Sequence, residues 1–362
     1  MTVTAVRAPL GWLGPGRLVE DVLVVLDGGR VAYAGSAAGV GVVASGTEGG
    51  TETLDGGPVP PEPDQEIHFE GFLMPGVVDR HVHIGMADPF SVVAGGVTAV
   101  RDLGWPPEVV LSMAGASEGP AFNGPLIRAA GPMLTCPGGY PTRSGWAPNG
   151  TGLEVRGAEE AAGAASVLLE AGAAVLKVAL NSEAGPTLSD QDLVAICDVA
   201  HRGGTIVTAH CQGREQAARA LGAGVDEFAH CPWSERLADE LIETMAKRMR
   251  IVSTLDILSY GRDTPELRTA IDNLRRFLAA GGRVAYGTDL GNGPIPPGIH
   301  VGEAWHLRTA GLSGEEVLEA LTFRPLAAGE PADLVGLGGN PLEDLDALAN
   351  VRLVLRAGRR FG

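Results

Sequence analysis

Two histidines, His81 and His83, close an apolar run in "PGVVDRHVHIG". On a β-strand, residues two apart project to the same face, so both imidazoles point one way and make half of a metal site. Three further apolar runs end on residues of the same chemical kind: "TAHCQG" carries His210, "EFAHC" carries His230 and "YGTDLG" carries Asp289. Imidazole nitrogens mixed with a carboxylate oxygen suit Zn, Mn, Fe or Co.

Another run, "AAVLKVAL", holds Lys177 among aliphatic residues. Of the chain's 27 basic residues only Lys177 and Lys247 are lysines, so every other one is an arginine. Burying an ammonium is costly, and burial beside metal cations lowers its pKa toward the neutral amine. A neutral amine can add carbon dioxide to become a carbamate, an anionic oxygen ligand on a long arm; arginine keeps its charge and cannot. The competing use of such an amine is a Schiff base with a carbonyl substrate, which the surrounding histidines argue against.

These side chains meet only if the strands that carry them do. From Phe72 onward eight short apolar runs alternate with helical patterns, at 76–83, 97–104, 125–132, 174–180, 205–211, 225–231, 250–257 and 283–290. Between them, "SDQDLVAICDVAHRGG" opens on Ser189 and closes on a glycine pair, while "REQAARALGAG" and "ERLADELIETMAKRM" space apolar residues by three and four. Eight βα units over about 250 residues predict an α/β chain folded as a (β/α)8 TIM barrel, whose strand C-termini all meet at one catalytic face.

Outside this region, "VEDVLVVLDGGRVAYAG" predicts a hairpin about Gly28 and Gly29, and the stretch from Pro331 returns to short strands and turns. Neither end has a core of its own. They are expected to pair as a small β-sandwich domain, residues 1–70 plus 328–362, beside a barrel at 71–327. The Gly, Pro, Thr and Glu-rich stretch from Ser36 to Asp64 reads as a mobile surface loop.

A net charge of −17 argues against nucleic acid or an anionic membrane as partner. No apolar stretch approaches the roughly 20 residues of a membrane span, and the N-terminal residues lack a secretion-signal pattern. The expectation is a cytoplasmic protein acting on a small-molecule substrate, with a homo-oligomer left open. Cys136, Cys197, Cys211 and Cys231 form no CxxC pair and read as buried free thiols.

Candidate substrate contacts are Tyr140, Arg143 and Trp146, on a segment between the third and fourth strands long enough to act as a lid. Arg143 could grip a carboxylate bidentately, or be an ordinary surface arginine. His300 and Glu303, in "PIPPGIHVGEAWH" after the eighth strand, are further candidates. His68, His201 and His306 fall outside the strand ends and read as non-ligands.

Taken in order, "PGVVDRHVHIG", Lys177, "TAHCQG", "EFAHC", "YGTDLG" and "GEPADLVGLGGNPLED" closely resemble the amidohydrolase superfamily. The likeness is strongest to metal-dependent hydrolases similar to imidazolonepropionase and to prolidase-like dipeptidases and carboxypeptidases, and it runs over nearly the whole chain. It implies a binuclear centre of two divalent ions, zinc first. His81, His83 and Asp289 would hold the more buried ion and His210 and His230 the more exposed one, with carboxylated Lys177 and a hydroxide bridging them. The resemblance further implies cleavage of a C–N bond in an N-acyl amino acid, dipeptide or cyclic amide by that metal-bridging hydroxide, with Asp289 taking its proton and passing it to the leaving nitrogen.

A mononuclear hydrolase or deaminase using His81, His83, His210 and Asp289 is the nearest alternative, and a lactone or ester hydrolase another. A non-catalytic barrel module would be expected to have lost ligands, and none of the six is missing. Two stretches depart from the family pattern. "TCPGGYPTR" has Tyr140 where related hydrolases often carry a histidine, and "LTFRPLAAGEPADL" is shorter than the usual connection.

Overall fold

The computed structural model describes residues 2–40, 42–44, 51–53 and 59–362. The chain divides into two compact units: Met1–Val78 with Phe90–Thr98 and Ser313–Gly362, and Asp79–Pro89 with Ala99–Leu312.

The first unit is built on one sheet of mostly antiparallel strands. Its order is Arg359–Phe361, Val351–Arg356, Leu334–Leu337, Phe72–Pro75, Val3–Trp12, Leu18–Asp27 and Arg30–Ser36, with Gln65–His68 also pairing Val3–Trp12. The expected hairpin is present. Asp27 faces Arg30 across a two-residue turn in which Gly28 takes φ 56°, a left-handed conformation that glycine adopts without strain. Strand residues from both ends of the chain bury a common core of Val6, Val22, Leu26, Leu73, Leu334 and Leu353. That shared burial joins N- and C-terminal segments that have too little apolar surface to fold alone.

The expected loop from Ser36 to Asp64 lies partly outside the described residues, at 41, 45–50 and 54–58. The described part contains the short 3-10 turn Ala37–Val40 and an antiparallel strand pair, Val42–Ala44 with Thr51–Thr53.

The second unit carries the parallel strands. One sheet is ordered Leu126–Ala129, Val97–Asp102, Val77–Val82; the other Gly152–Glu154, Met133–Thr135, Leu176–Asn181, Val207–Gln212, Glu227–Phe228, Arg250–Val252, Arg283–Ala285. The fold is thus mixed α/β, and the described pairings make two parallel sheets rather than one closed ring. Ala174 N, just before the strand Leu176–Asn181, donates to Ala129 O at 2.8 Å, and a parallel bridge joins Val82 to Leu290. Helices follow the strands, and Asp190–Arg202 begins with the expected Ser189 cap, closed reciprocally by Asp192. No helix among the described residues is long and apolar enough to cross a membrane.

All eight apolar runs hold a strand, but several are cut short. The last ends at Ala285, so Asp289 lies beyond the strand rather than at its end. Gly287 makes this possible: a Cβ there would sit 2.3 Å from Val252 Cγ1, and Asp289 itself turns through φ 60°. The segment between the third and fourth runs gains two unanticipated strands, Met133–Thr135 and Gly152–Glu154, with Leu134 facing Val178. Three-residue strands are too short to leave a period-two signal. All four cysteines are free, with Cys136 only half-buried rather than buried.

Candidate metal centre

Three histidine rings are fixed by what their Nδ1 atoms touch. His81 Nδ1 lies 2.7 Å from Ala229 O and His83 Nδ1 lies 2.9 Å from Gly104 O. A carbonyl can only accept, so Nδ1 carries the proton in each and Nε2 keeps its lone pair. His230 Nδ1 pairs with Thr254 Oγ1 at 2.8 Å. These partners fix ring orientation as the outer shell of a metal site does.

The freed nitrogens converge on one carboxylate. His81 Nε2 and His83 Nε2 lie 3.4 and 3.2 Å from Asp289 Oδ1. One ligand atom each from His81, His230 and Asp289 fall within 4.8 Å of one another, a group that could hold a metal ion. His210 stands beside them, its ring centroid 4.8 Å from that of His230. Its Nε2 is 3.5 Å from Asn181 Nδ2, and the same amide donates to Gln212 Oε1 at 2.8 Å.

Two buried aspartates hold the backbone that presents these ligands. Asp79 accepts from the N–H of His81 and of Thr288, both at 3.1 Å, and from the Thr288 hydroxyl at 2.5 Å. Burial raises its pKa to about 7. Asp102 accepts from Ile84 N and Gly104 N, at 2.7 and 3.0 Å. Asn292 Nδ2 donates to Asp289 Oδ1 at 2.9 Å.

Electrostatics favour the neutral imidazole at His81, His210 and His230. Burial, then the nearby Lys177 charge, holds His81 well below its ordinary pKa; burial pulls His210 down to about 3; burial and then His210 depress His230. His83 moves the other way, because the hydrogen bond and charge of Asp289 more than offset its burial.

Lys177 is fully buried within Leu176–Asn181, a strand buried at every position. Its Nζ has no hydrogen-bond partner among the described residues, and burial lowers its pKa to about 7. An amine that is buried, unpartnered and half neutral fits a metal-ligating carbamate: the modification gives the orphaned atom a role and its charge a cation to meet. Imidazole nitrogens and a carboxylate complete a donor set that fits divalent ions.

Aromatic side chains wall the site. The Tyr140 ring stacks on His210 at 4.8 Å, Trp146 packs 4.8 Å from His83, and Trp233 stands edge-on to both His210 and His230. Tyr140 is placed by Gly139, where a Cβ would come within 2.3 Å of Thr135 Oγ1. Burial raises the Tyr140 pKa further above its ordinary value.

The remaining sequence candidates have other partners or none among the described residues. Arg143 is exposed. Glu303 is buried, its carboxylate accepting from Leu255 N and Asp256 N at 2.9 and 2.8 Å. His300 Nε2 is 2.8 Å from Asp256 Oδ2 and His306 Nε2 is 3.1 Å from Oδ1; these two hydrogen bonds hold Asp256 well below the usual carboxylate range. Sequence reasoning missed Asp79, Asp102, Asn181, Trp233, Asp256 and Asn292. Asp79, Asp102 and Asp256 stood inside the apolar runs, where a buried acid is itself a signal; Asn181 closes the strand Leu176–Asn181 one residue past its run, and Trp233 and Asn292 lie on irregular backbone with no periodicity to mark them.

The Amidohydrolase family model matches residues 72–360. The chain is 25% identical to ochratoxinase of Aspergillus niger, with 80% of this chain and 75% of that protein covered. The crystal structure of A. niger ochratoxinase superposes with a TM-score of 0.79 at 21% identity, covering 99% of this chain and 95% of that one. A Xaa-Pro dipeptidase with methionine bound in its active site gives 0.79 at 20% identity, over 99% and 100%. With its imidazoles, carboxylate and buried lysine gathered at the ends of parallel strands, the chain belongs to the amidohydrolase family. It is a hydrolase acting on carbon–nitrogen bonds.

Proposed function

We propose that this protein hydrolyses the amide bond of a small N-acyl amino acid, dipeptide or cyclic amide in the cytoplasm. Its second unit would close as a (β/α)8 barrel across the Ala129–Ala174 and Val82–Leu290 links. The observation that carries the reading is the meeting of His81 and His83 Nε2 on Asp289 Oδ1 beside the unpartnered amine of Lys177. The likeness to an ochratoxinase and to a Xaa-Pro dipeptidase supports a substrate with a peptide-like amide.

In this reading His81, His83, His210, His230, Asp289 and carboxylated Lys177 hold two divalent ions, zinc first. When bound, such ions lower the pKa of water and polarise a carbonyl. The protein's own residues do the rest. Asp289 keeps Oδ1 among the histidines and Asn292, which leaves Oδ2 to take a proton from the attacking water and hand it to the leaving nitrogen. Tyr140, Trp146 and Trp233 line the substrate side with apolar surface that displaces water and suits a flat or aromatic acyl or amino acid group.

A mononuclear centre is the second reading, favoured by the tight grouping of His81, His230 and Asp289 alone. The experiment is metal analysis of fully active enzyme together with a panel of N-acyl amino acids, dipeptides, lactams and lactones. Two equivalents of metal with amide turnover support the main reading. One equivalent in fully active protein overturns the binuclear centre, and turnover of lactones alone overturns the amide substrate.

A further inference from the structure

One exposed aromatic side chain near the centre is held in a conformation that its residue type resists. Tyr260 follows the strand Arg250–Val252, takes φ 48° and leaves 38% of its surface open. Left-handed backbone is unusual for a bulky residue and persists only where the surroundings impose it. Asp256 imposes it here. Its carbonyl accepts from Tyr260 N at 2.6 Å and its carboxylate from Gly261 N at 3.1 Å, so the N–H groups before and after the Tyr260 Cα are bound to one residue. Asp256 is fixed in turn by the helix Val301–Thr309 and its N-cap residue: His300 and His306 hold the two carboxylate oxygens, and Glu303 takes the backbone N–H. The Tyr260 ring rests on Gly293, where a Cβ would come within 2.5 Å of its Cζ and Oη, and the residue before that glycine, Asn292, donates to Asp289 Oδ1. The ring is thus seated on the same loop that steadies Asp289. Burial, then the Asp289 charge, raises the phenol pKa and keeps the side chain neutral.

We propose that Tyr260 is a specificity-determining residue whose open ring face receives a flat, aromatic side group of the substrate amide, with Asp256 as its positioning residue. The inference rests on the amide-hydrolase reading above and adds to it the part of the substrate that selects. A partly open tyrosine ring offers apolar contact that another flat ring covers best, in an offset or edge-on arrangement. Its loop follows a different strand from those that lead to Tyr140, Trp146 and Trp233, so aromatic surface reaches the site from more than one strand end. The Asp256 clamp orders that loop before substrate arrives, which spares binding the cost of ordering it. The bland alternative is that the ring only covers Gly293, in which case truncating it would act on all substrates alike.

Matched amides from the panel that differ only in carrying a phenyl or an isobutyl side group separate the two. Wild-type enzyme is expected to prefer the phenyl amide in kcat/KM. Tyr260→Ala is expected to cut that preference by about 10-fold, chiefly through the KM of the phenyl amide, with metal content unchanged. Tyr260→Phe keeps the ring and with it the preference. Gly293→Ala, which pushes the ring off its seat, and Asp256→Asn, which weakens the clamp, should each lower the preference in the same sense. Because Asp256 acts through the ring, Asp256→Asn should add nothing to the change in preference when combined with Tyr260→Ala. A wild-type enzyme without a phenyl preference, or a Tyr260→Ala enzyme that loses both amides equally or keeps the preference, overturns the proposal and leaves the amide reading intact. If Tyr260→Ala does not fold or load metal, an undiminished preference in Gly293→Ala overturns it instead. A wild-type enzyme that cleaves none of the amides overturns the parent reading, and this inference with it.

Discussion

Asp289 and His81 are joined twice: the Asp289 N–H donates to the His81 carbonyl at 2.8 Å, and Asp289 Oδ1 lies 3.4 Å from His81 Nε2. Main chain and side chain therefore fix the same pair. The carboxylate is held against the imidazoles by backbone that does not depend on its charge.

Asp289→Asn should for that reason leave the fold in place and remove proton transfer. A kcat loss of about 10²–10⁴ is expected, with thermal stability of the metal-free protein near that of the wild type. Steady-state kinetics and a melting curve check it; a variant with near-native kcat would assign the proton transfer elsewhere.

Lys177→Ala should lose bound metal and activity together, and Lys177→Arg should do no better, since guanidinium neither neutralises nor carboxylates. The amine of Lys177, brought to about 7 by burial, is charged below that pH and neutral above it. Reloading of stripped protein with zinc should accordingly quicken as pH rises through about 7 and should require bicarbonate. Metal uptake followed with and without carbon dioxide tests this, and equal uptake in both would remove the carbamate.

Asn292 donates to the same oxygen of Asp289 that the histidines approach. Asn292→Ala should lower kcat by about 10-fold, in keeping with the loss of a partner that orients a metal ligand, and should leave global stability within about 0.5 kcal/mol of wild type. A urea melt run beside the kinetics separates the two effects.

Glu227 is fully buried and paired with Arg101 and Arg250. Burial raises its pKa, but the two guanidinium groups more than offset that and leave it lowered. A carboxylate whose folded pKa lies below its unfolded value stabilises the fold above the unfolded value of 4.5 and loses that contribution as pH falls through the folded value. Glu227→Gln, which leaves Arg101 without its countercharge, should cost about 3–5 kcal/mol at pH 7, with a smaller difference in acid. Denaturant unfolding at two pH values measures it.

Much of the candidate centre was legible in the chain because metal ligands are few in kind. His81, His83, His210, His230 and Asp289 each follow an apolar run, and parallel strands carry such runs to a common end. The lysine in "AAVLKVAL" stood out for the same reason, as a charge where burial was expected. What local pattern could not reveal was how the irregular backbone after each strand would fold. Asp289 is set by a close approach at Gly287, and Glu303, polar and suitably placed in sequence, is consumed by the N–H groups of Leu255 and Asp256.

By itself, then, the sequence determined the family, the parallel α/β layout and the identity of the candidate metal-binding side chains, because hydrophobic periodicity and ligand chemistry are written residue by residue. The tertiary structure alone decided that Lys177 Nζ would have no partner among the described residues, that Asp79 would grip both His81 and Thr288, and that Trp146 would donate to the Tyr140 hydroxyl. Asp79 and Thr288 are 209 residues apart, and even Tyr140 and Trp146 meet across irregular backbone, so neither hydrogen bond exists until the backbones that carry the pair are in place.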